Sequence, residues 1–275
     1  MKKFFPILLL AVGLLSFQVV SDFKGVDKKI KKPSDSPMHY MQLAISWYQT
    51  AAETRALCYQ AFNAARMSLD LTLQTAATDK PLAIVFDIDE TLLDNSPYQA
   101  ACVHTGIAYP DYWKEWIQSV QCEPVPGAVE FVQYADSRGV DVFYVSNRKM
   151  HNLDATIENM NKYEFPQVEK SHIMLRETTS NKTPRREKIA ETHNIIMLVG
   201  DNLGDFNEEA SKKSIEERFA VADKYQNQYG RTYIVLPNPM YGDWEGAMYN
   251  FDYSLSPEEK DELRNKVMNV YMCVK

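Results

Sequence analysis

The apolar run at residues 81–86, Pro-Leu-Ala-Ile-Val-Phe, leads directly into Asp87-Ile88-Asp89-Glu90-Thr91. This junction limits what the chain can fold into more than any other stretch. A continuous hydrophobic run without polar alternation reads as a strand buried on both faces, as in parallel sheets. Two carboxylates, one residue apart, then stand where that strand leaves the sheet. Open α/β sheets carry their chemistry at that edge. Like charges so placed repel each other and resist desolvation, so they call for a cation, a proton or strong donors.

The rest of the chain fits such a sheet. Residues 38–75 read as a helix without Gly or Pro, with Met41, Leu43, Ala44, Trp47, Tyr48, Ala51 and Ala52 on a broad apolar face. Beyond the first strand, further strands are expected at 140–145, 172–175, 195–199 and 232–236. Helices are expected at 127–139, opened by Pro126-Gly127, and at 153–163, 183–189, 208–225 and 256–270. Strands alternating with helices mean an α/β fold, a Rossmann-like parallel sheet with helices on both faces. Asp87 and Ser146, the polar ends of the first two strands, are 59 positions apart. One crossover helix needs fewer. The excess, about 97–124, reads as a small, mainly helical cap.

The chain has 275 residues, 45% of them hydrophobic, which suits one α/β domain with an accessory segment or two small domains. A net charge of −7 argues against long nucleic-acid tracts but not against a small phosphorylated ligand. Lys2 and Lys3, followed by a nearly unbroken apolar stretch to Val20, have the layout of a secretory signal peptide over 1–21. An uncleaved anchor is the alternative, and in that case the membrane is touched only there. Residues 22–37, with lysines at 28, 29, 31 and 32, read as a linker. Residues 38–80 form an N-terminal helical segment packing with the cap, and 81–275 the core. Of Cys58, Cys102, Cys122 and Cys273, the pair Cys102 and Cys122 is the favoured disulfide in an oxidising compartment, with buried free thiols the alternative.

Four strand ends carry useful groups: Asp87 and Asp89; Ser146-Asn147-Arg148; Ser180-Asn181-Lys182; and Gly200-Asp201-Asn202 with Asp205. In a parallel sheet all of them reach one edge. This set, in this order, resembles the four motifs of the haloacid dehalogenase-like phosphatases, with Asp87, Asp89 and Thr91 matching D-x-D-x-T. More closely, it is similar to the class C acid phosphatases, bacterial phosphomonoesterases. The similarity runs through residues 87–97, 125–128, 144–148, 200–206 and 236–238.

The resemblance implies a Mg²⁺-dependent acid phosphatase or 5′-nucleotidase acting on small phosphomonoesters, nucleoside monophosphates or aryl phosphates. Asp87 would be the nucleophile, forming an aspartyl-phosphate, and Asp89 the general acid and base. Mg²⁺ would be held by Asp87, Asp201 and the Asp89 carbonyl. Ser146 and Lys182 would hold the phosphate, with Lys188 the alternative lysine. Asp205 is either a helix cap or a shell residue behind the cation. Arg148 reads as a structural ion pair. Trp113, then Tyr241, would stack on a substrate ring, whereas Trp113 and Trp116, three apart, also read as one core stripe, a reading favoured for Trp116. Family members are implied to be dimers. Lipid anchoring needs a cysteine at the end of the signal segment; the first here is Cys58, so a periplasmic or secreted protein is expected. A phosphotransferase using the same intermediate, a ligand-binding surface protein and a phospho-receiver domain are the other readings. The intact Asp87 argues against the second, and the signal segment and cap against the third.

Overall fold

The computed structural model describes residues 36–75 and 77–271. The expected signal segment, nearly all of the expected linker, and Cys273 lie outside the described residues. Five strands form one parallel sheet: β1 (Leu82–Phe86), β4 (Asp141–Lys149), β5 (Ile173–Arg176), β6 (Asn194–Gly200) and β7 (Tyr233–Val235). They are ordered β5-β4-β1-β6-β7. Two short strands, β2 (Leu93–Asp94) and β3 (Glu123–Pro124), pair antiparallel at the base of the insert.

Side chains of successive strand residues point to opposite faces of the sheet, and here both faces are apolar. Ile84, Phe86, Val142, Tyr144, Met197 and Val199 enter the larger core. Ala83, Val85, Phe143, Val145 and Leu198 enter the smaller one. The larger core is covered by α2 (Ala52–Thr75), α5 (Ala128–Ser137) and α6 (Leu153–Lys162). Phe131 of α5 meets Phe62 and Phe86 at ring-centroid distances of 5.8 and 5.9 Å. Each such buried ring contributes roughly 1.5–3 kcal/mol. The smaller core is closed by Ile189 of α7 (Thr183–Ala190) and by Leu203 and Phe206, at and just past a 3₁₀ turn, Leu203–Asp205.

The chain builds β1, moves outward through β4 to β5, then returns past β1 to β6 and β7. The direction reverses between β1 and β6, and open α/β sheets bind ligands at that switch point. Asp87 and Asp201 follow directly from β1 and β6.

Three expected helices differ, and the strand expected at 140–145 runs on as β4 to Lys149, so Ser146, Asn147 and Arg148 lie inside it rather than at its end. The helix expected at 38–75 breaks at Ala51, whose ψ of 129° is extended. The first piece, α1 (Gln42–Thr50), packs with α3 (Ser96–Thr105) of the insert and with Met240. The second, α2, lies on the sheet. α1 and the turn before it therefore pack against the insert, while α2 lies against α5 and the sheet. No residue at 51 forces the break; the two pieces serve different surfaces, and packing overrides propensity. The helix expected at 208–225 begins instead as α8 (Ile215–Lys224), because Ser214 and Glu217 form a capping box that starts a new helix. The last helix ends at Lys266 rather than 270, and Asp243–Met248 adds a short helix not foreseen.

The favoured disulfide is also corrected: Cys102 and Cys122 are free and buried. The Cys122 thiol is engaged elsewhere, donating to Asn95 Oδ1 at 3.3 Å. Burial pushes both thiols up to about 11, so they stay protonated. Among the described residues no helix is long and apolar enough to cross a membrane.

Candidate active site

Asp87 starts the turn after β1, its amide still donating to Val199 O of β6 at 2.9 Å. The chain then folds tightly, with the amides of Leu92 and Leu93 both donating to Ile88 O at 2.9 Å. Glu90 takes a left-handed φ of 57° inside this turn and is fully buried. Strain of that kind in a non-glycine residue gathers at functional sites. Burial, reinforced by the charges of Asp89, Asp201 and Asp94, raises the Glu90 carboxyl well above the usual range.

Lys182, the residue before α7, is buried and pairs with Asp87 Oδ1 and with Asp205 Oδ1, the latter at 2.6 Å. Lys188 is exposed, so Lys182 is the lysine that reaches the site. Burial opposes the Lys182 ammonium, but Asp205 and Asp87 outweigh it and raise its pKa. The two residues after Thr183-Pro184 tie down neighbouring loops. Arg185 Nη1 donates to Ser146 O at 2.6 Å, and Arg186 Nη1 to Asp205 O at 2.8 Å.

Asp205 serves as cap and as inner residue together. Its Oδ2 accepts from Asn202 N at 2.9 Å, completing a capping box, while Oδ1 holds Lys182. Of the two roles that the sequence left as alternatives, a helix cap and a shell residue behind the cation, the first is seen at Oδ2, while Oδ1 meets Lys182. Asp201, partly open to solvent, accepts from Asn238 Nδ2 at 2.8 Å and from Thr91 Oγ1 at 3.4 Å.

The carboxylates of Asp87, Asp201 and Asp205 all offer oxygens within 4.8 Å of one another. Three such acids against the one ammonium of Lys182 leave two negative charges in a largely buried site. Burial pushes Asp87 up to about 7 despite Lys182, with Asp205 and Asp89 adding to the shift. Burial, with the charges of Asp205 and Asp87, also carries Asp201 well above the usual range. Clustered hard oxygens lacking two positive charges fit a divalent cation such as Mg²⁺ or Mn²⁺.

The description "HAD superfamily, subfamily IIIB (Acid phosphatase)" matches residues 16–244. The chain belongs to this acid phosphatase subfamily. A solved relative, the class C acid phosphatase from Bacillus anthracis, is 43% identical, with a TM-score of 0.83 over 86% of this chain and 99% of that one. A second structure of it, with tungstate bound, matches equally. Vegetative storage protein 1 of Arabidopsis thaliana is 24% identical over 57% of this chain, and the match spans about half (54%) of that relative. Phosphatases of the HAD superfamily use a divalent metal, which the acid cluster suits.

The remaining expected residues fall in different places. Ser146, fully buried, donates to Asp89 Oδ2 at 3.3 Å. Asp89 lies outside the three-acid cluster and pairs with Arg148 at 2.8 Å. The ion pair expected of Arg148 is therefore made, but with a site residue. Trp116 is buried, its indole N–H donating to Asn95 Oδ1 at 2.8 Å. Trp113 is half-buried, edge-on to Tyr98 and Tyr109 at 5.0 and 5.8 Å. Tyr241, half-buried, packs against the cluster of α1, α3 and Met240. Asn95, Asn238, Arg185 and Arg186 were not anticipated. Asn95 and Asn238 both fall within the stretches that carry the class C resemblance, which was the available signal.

This acidic turn of the phosphatase depends on Gly200. A Cβ there would run into the Asp205 side chain, with Cγ 2.6 Å away. Asp205 is pinned at both oxygens and has nowhere to move. Gly200→Ala is expected to cost about 1–3 kcal/mol of stability. It should also cost roughly 100-fold in kcat/KM, because Asp205 can no longer place Lys182. Thermal melts and steady-state kinetics on the same variant check both.

Proposed function

We propose that the protein is a Mg²⁺-dependent phosphomonoesterase working through an aspartyl-phosphate on Asp87, with small phosphomonoesters, nucleoside 5′-monophosphates foremost, as substrates. The observation that carries this reading is the switch-point cluster: Asp87 held by Lys182, beside Asp201 and Asp205, with two charges uncompensated. Tungstate, bound by the Bacillus anthracis relative, is a tetrahedral oxyanion like phosphate, which supports an oxyanion pocket here. Asp87, Asp201 and the Asp89 carbonyl would hold the cation. When bound, it neutralises phosphate oxygens that would otherwise repel Asp87.

Lys182 occupies Asp87 Oδ1, which leaves Oδ2 to attack phosphorus. The bond from phosphorus to the ester oxygen breaks, and that oxygen takes a proton from Asp89 and departs as the alcohol. Water then attacks the phosphoryl group, Asp89 takes its proton, and the bond to Asp87 breaks, releasing phosphate. Ser146 and the Lys182 ammonium hold the phosphoryl oxygens through both halves. The apolar stretch after Lys2 and Lys3 supports export, and an exported enzyme would meet its substrate in the periplasm or outside the cell.

A substrate panel tests the reading: an aryl phosphate, 5′- and 3′-nucleotides and sugar phosphates, each with Mg²⁺ and with chelator. The expected result is Mg²⁺-dependent phosphate release, strongest for 5′-nucleotides. Trp113→Ala should lower kcat/KM for nucleotides roughly tenfold, the scale of one lost base stack, and that for the sugar phosphates little. No release from any monoester with Mg²⁺ present would remove the proposal. Added alcohol acceptors would show by product analysis whether the phosphoryl group passes to them instead of water.

A further inference from the structure

Three donors converge on one oxygen of Asp89. Oδ1 accepts from Asn95 Nδ2 at 2.9 Å and from Arg148 Nε at 2.9 Å, and lies 2.8 Å from Arg148 Nη2. Oδ2 faces the Ser146 hydroxyl at 3.3 Å. The two oxygens of one carboxyl group are therefore inequivalent. A carboxylate oxygen has two lone pairs, so three donors leave Oδ1 no capacity for a proton of its own.

Each donor is itself fixed from behind. The Asn95 amide has its orientation set by chemistry, because its Oδ1 faces two groups that donate. One is the Trp116 indole N–H at 2.8 Å, which can only donate; the other is the Cys122 thiol at 3.3 Å. The amide nitrogen must then point the other way, to Asp89. The Asn95 backbone N–H is held by Glu90 Oε1 at 2.9 Å. Arg148, 1% exposed, spends Nη1 on Thr156 Oγ1 at 3.2 Å, and Nη2 lies 3.9 Å from Cys122 Sγ. Burial opposes its charge, but Asp89 outweighs burial and raises its pKa further. Trp116 and Cys122 both come from the insert between β2 and β3, so the insert sets these donors.

We propose that Asn95 and Arg148 are positioning residues that saturate Asp89 Oδ1 and leave Oδ2 as the oxygen that gives and takes the catalytic proton, with Trp116 of the insert locking Asn95 in place. This rests on Asp89 being the general acid and base. In the first half-reaction the Oδ2 proton goes to the ester oxygen, which keeps the electron pair of its broken bond to phosphorus as Asp87 forms the new one. In the second half, Oδ2 takes a proton from the attacking water as the bond between Asp87 and phosphorus breaks.

Leaving-group dependence tests the proposal, because a good leaving group needs little protonation and a poor one needs much. The quantity is kcat/KM with Mg²⁺, which reports the first half-reaction. It is compared between an aryl phosphate of an acidic phenol and an alkyl phosphate. Asp89→Asn should lose on the order of 10²–10⁴-fold on the alkyl ester and far less on the aryl ester, the scale of general acid catalysis. Asn95→Ala and Arg148→Lys should show the same selectivity, with at least tenfold more loss on the alkyl ester. Trp116→Phe, which keeps an aromatic ring while removing the N–H donor and part of the ring system, should show it in weaker form. That variant keeps the test available if an Arg148 variant fails to fold. Uniform losses on both esters in Asn95→Ala and Trp116→Phe, with selective loss in Asp89→Asn, would overturn the positioning role and leave the acid standing. Uniform loss in Asp89→Asn itself would remove the acid assignment, and the positioning role with it.

Discussion

Asp87→Asn is expected to abolish turnover while making the cation-free protein more stable near neutral pH. The two effects have one origin. Asp87 sits in a pocket where burial, opposed by Lys182 and aided by Asp205 and Asp89, holds its carboxyl up to about 7. Retaining a carboxylate there is a standing cost to folding, one that the proposed role as nucleophile would account for. An amide of nearly the same shape removes the charge and the nucleophile together. Loss of a covalent nucleophile costs on the order of 10⁵–10⁶-fold in kcat, as in enzymes where such a group has been deleted. Lys182 keeps Asp205 at 2.6 Å, so the variant does not strand a buried ammonium. The stability gain has its own pH signature. Around pH 4 the wild-type carboxyl is already protonated and the amide changes little. Near pH 8 the wild type carries the buried charge and the variant does not. Thermal melts in chelator at both pH values, with single-turnover assays in Mg²⁺, measure the pair. Retained turnover would remove Asp87 as nucleophile; a variant less stable at both pH values would remove the charge argument.

The strand ends at Asp87 and Asp201 were legible in the sequence because buried parallel strands are written as unbroken apolar runs, and the first polar residue there marks the exit from the sheet, whereas β4 runs on past Ser146 to Lys149. Asp87 after β1 and Asp201 after β6 are read that way. The order of strands was not legible, because a run of apolar residues does not say which neighbour it pairs with. β2 and β3 have two residues each, too few to show any period. The break at Ala51 was hidden for another reason: alanine favours helix, and only the separate surfaces under α1 and α2 end the first piece there. Arg148 shows the limit most clearly. Its type suggested an ion pair, but its partner lies 59 positions away and is chosen by the fold. Networks such as Trp116 to Asn95 to Asp89 are sums of long-range placements, and no local spacing records them.

The second large effect expected is a cation-dependent stabilisation that grows with pH. The sign follows from the direction of the shifts. Asp87 is raised to about 7 and Asp201 well above its usual range, both first by burial. A raised carboxyl contributes stability that is complete below the unfolded value, near pH 4, and is lost as pH climbs through the folded one. Lys182 is raised too, but from an already high value, so it stays charged across that interval. A divalent cation binds the ionised acids and must displace whatever protons they hold. Its apparent affinity therefore rises between about pH 4 and pH 8, the interval in which the cation-free protein loses stability. At one hundred times its dissociation constant a ligand stabilises by about 2.7 kcal/mol. For a domain of this size each kcal/mol moves Tm by roughly 2–4 °C, so a shift of about 5–10 °C is expected near pH 8 and little at pH 4.5. The difference between Mg²⁺ and chelator melts at one pH cancels every group outside the site, which makes the comparison specific. Asp201→Asn should flatten it, because the variant removes one of the three clustered acids. Equal shifts at both pH values would mean that protons and cation do not compete, and the raised acids would then have no bearing on the metal site. Chelation should meanwhile remove activity at every pH, since without the added charge the acids of the cluster repel the phosphoryl oxygens they are meant to receive.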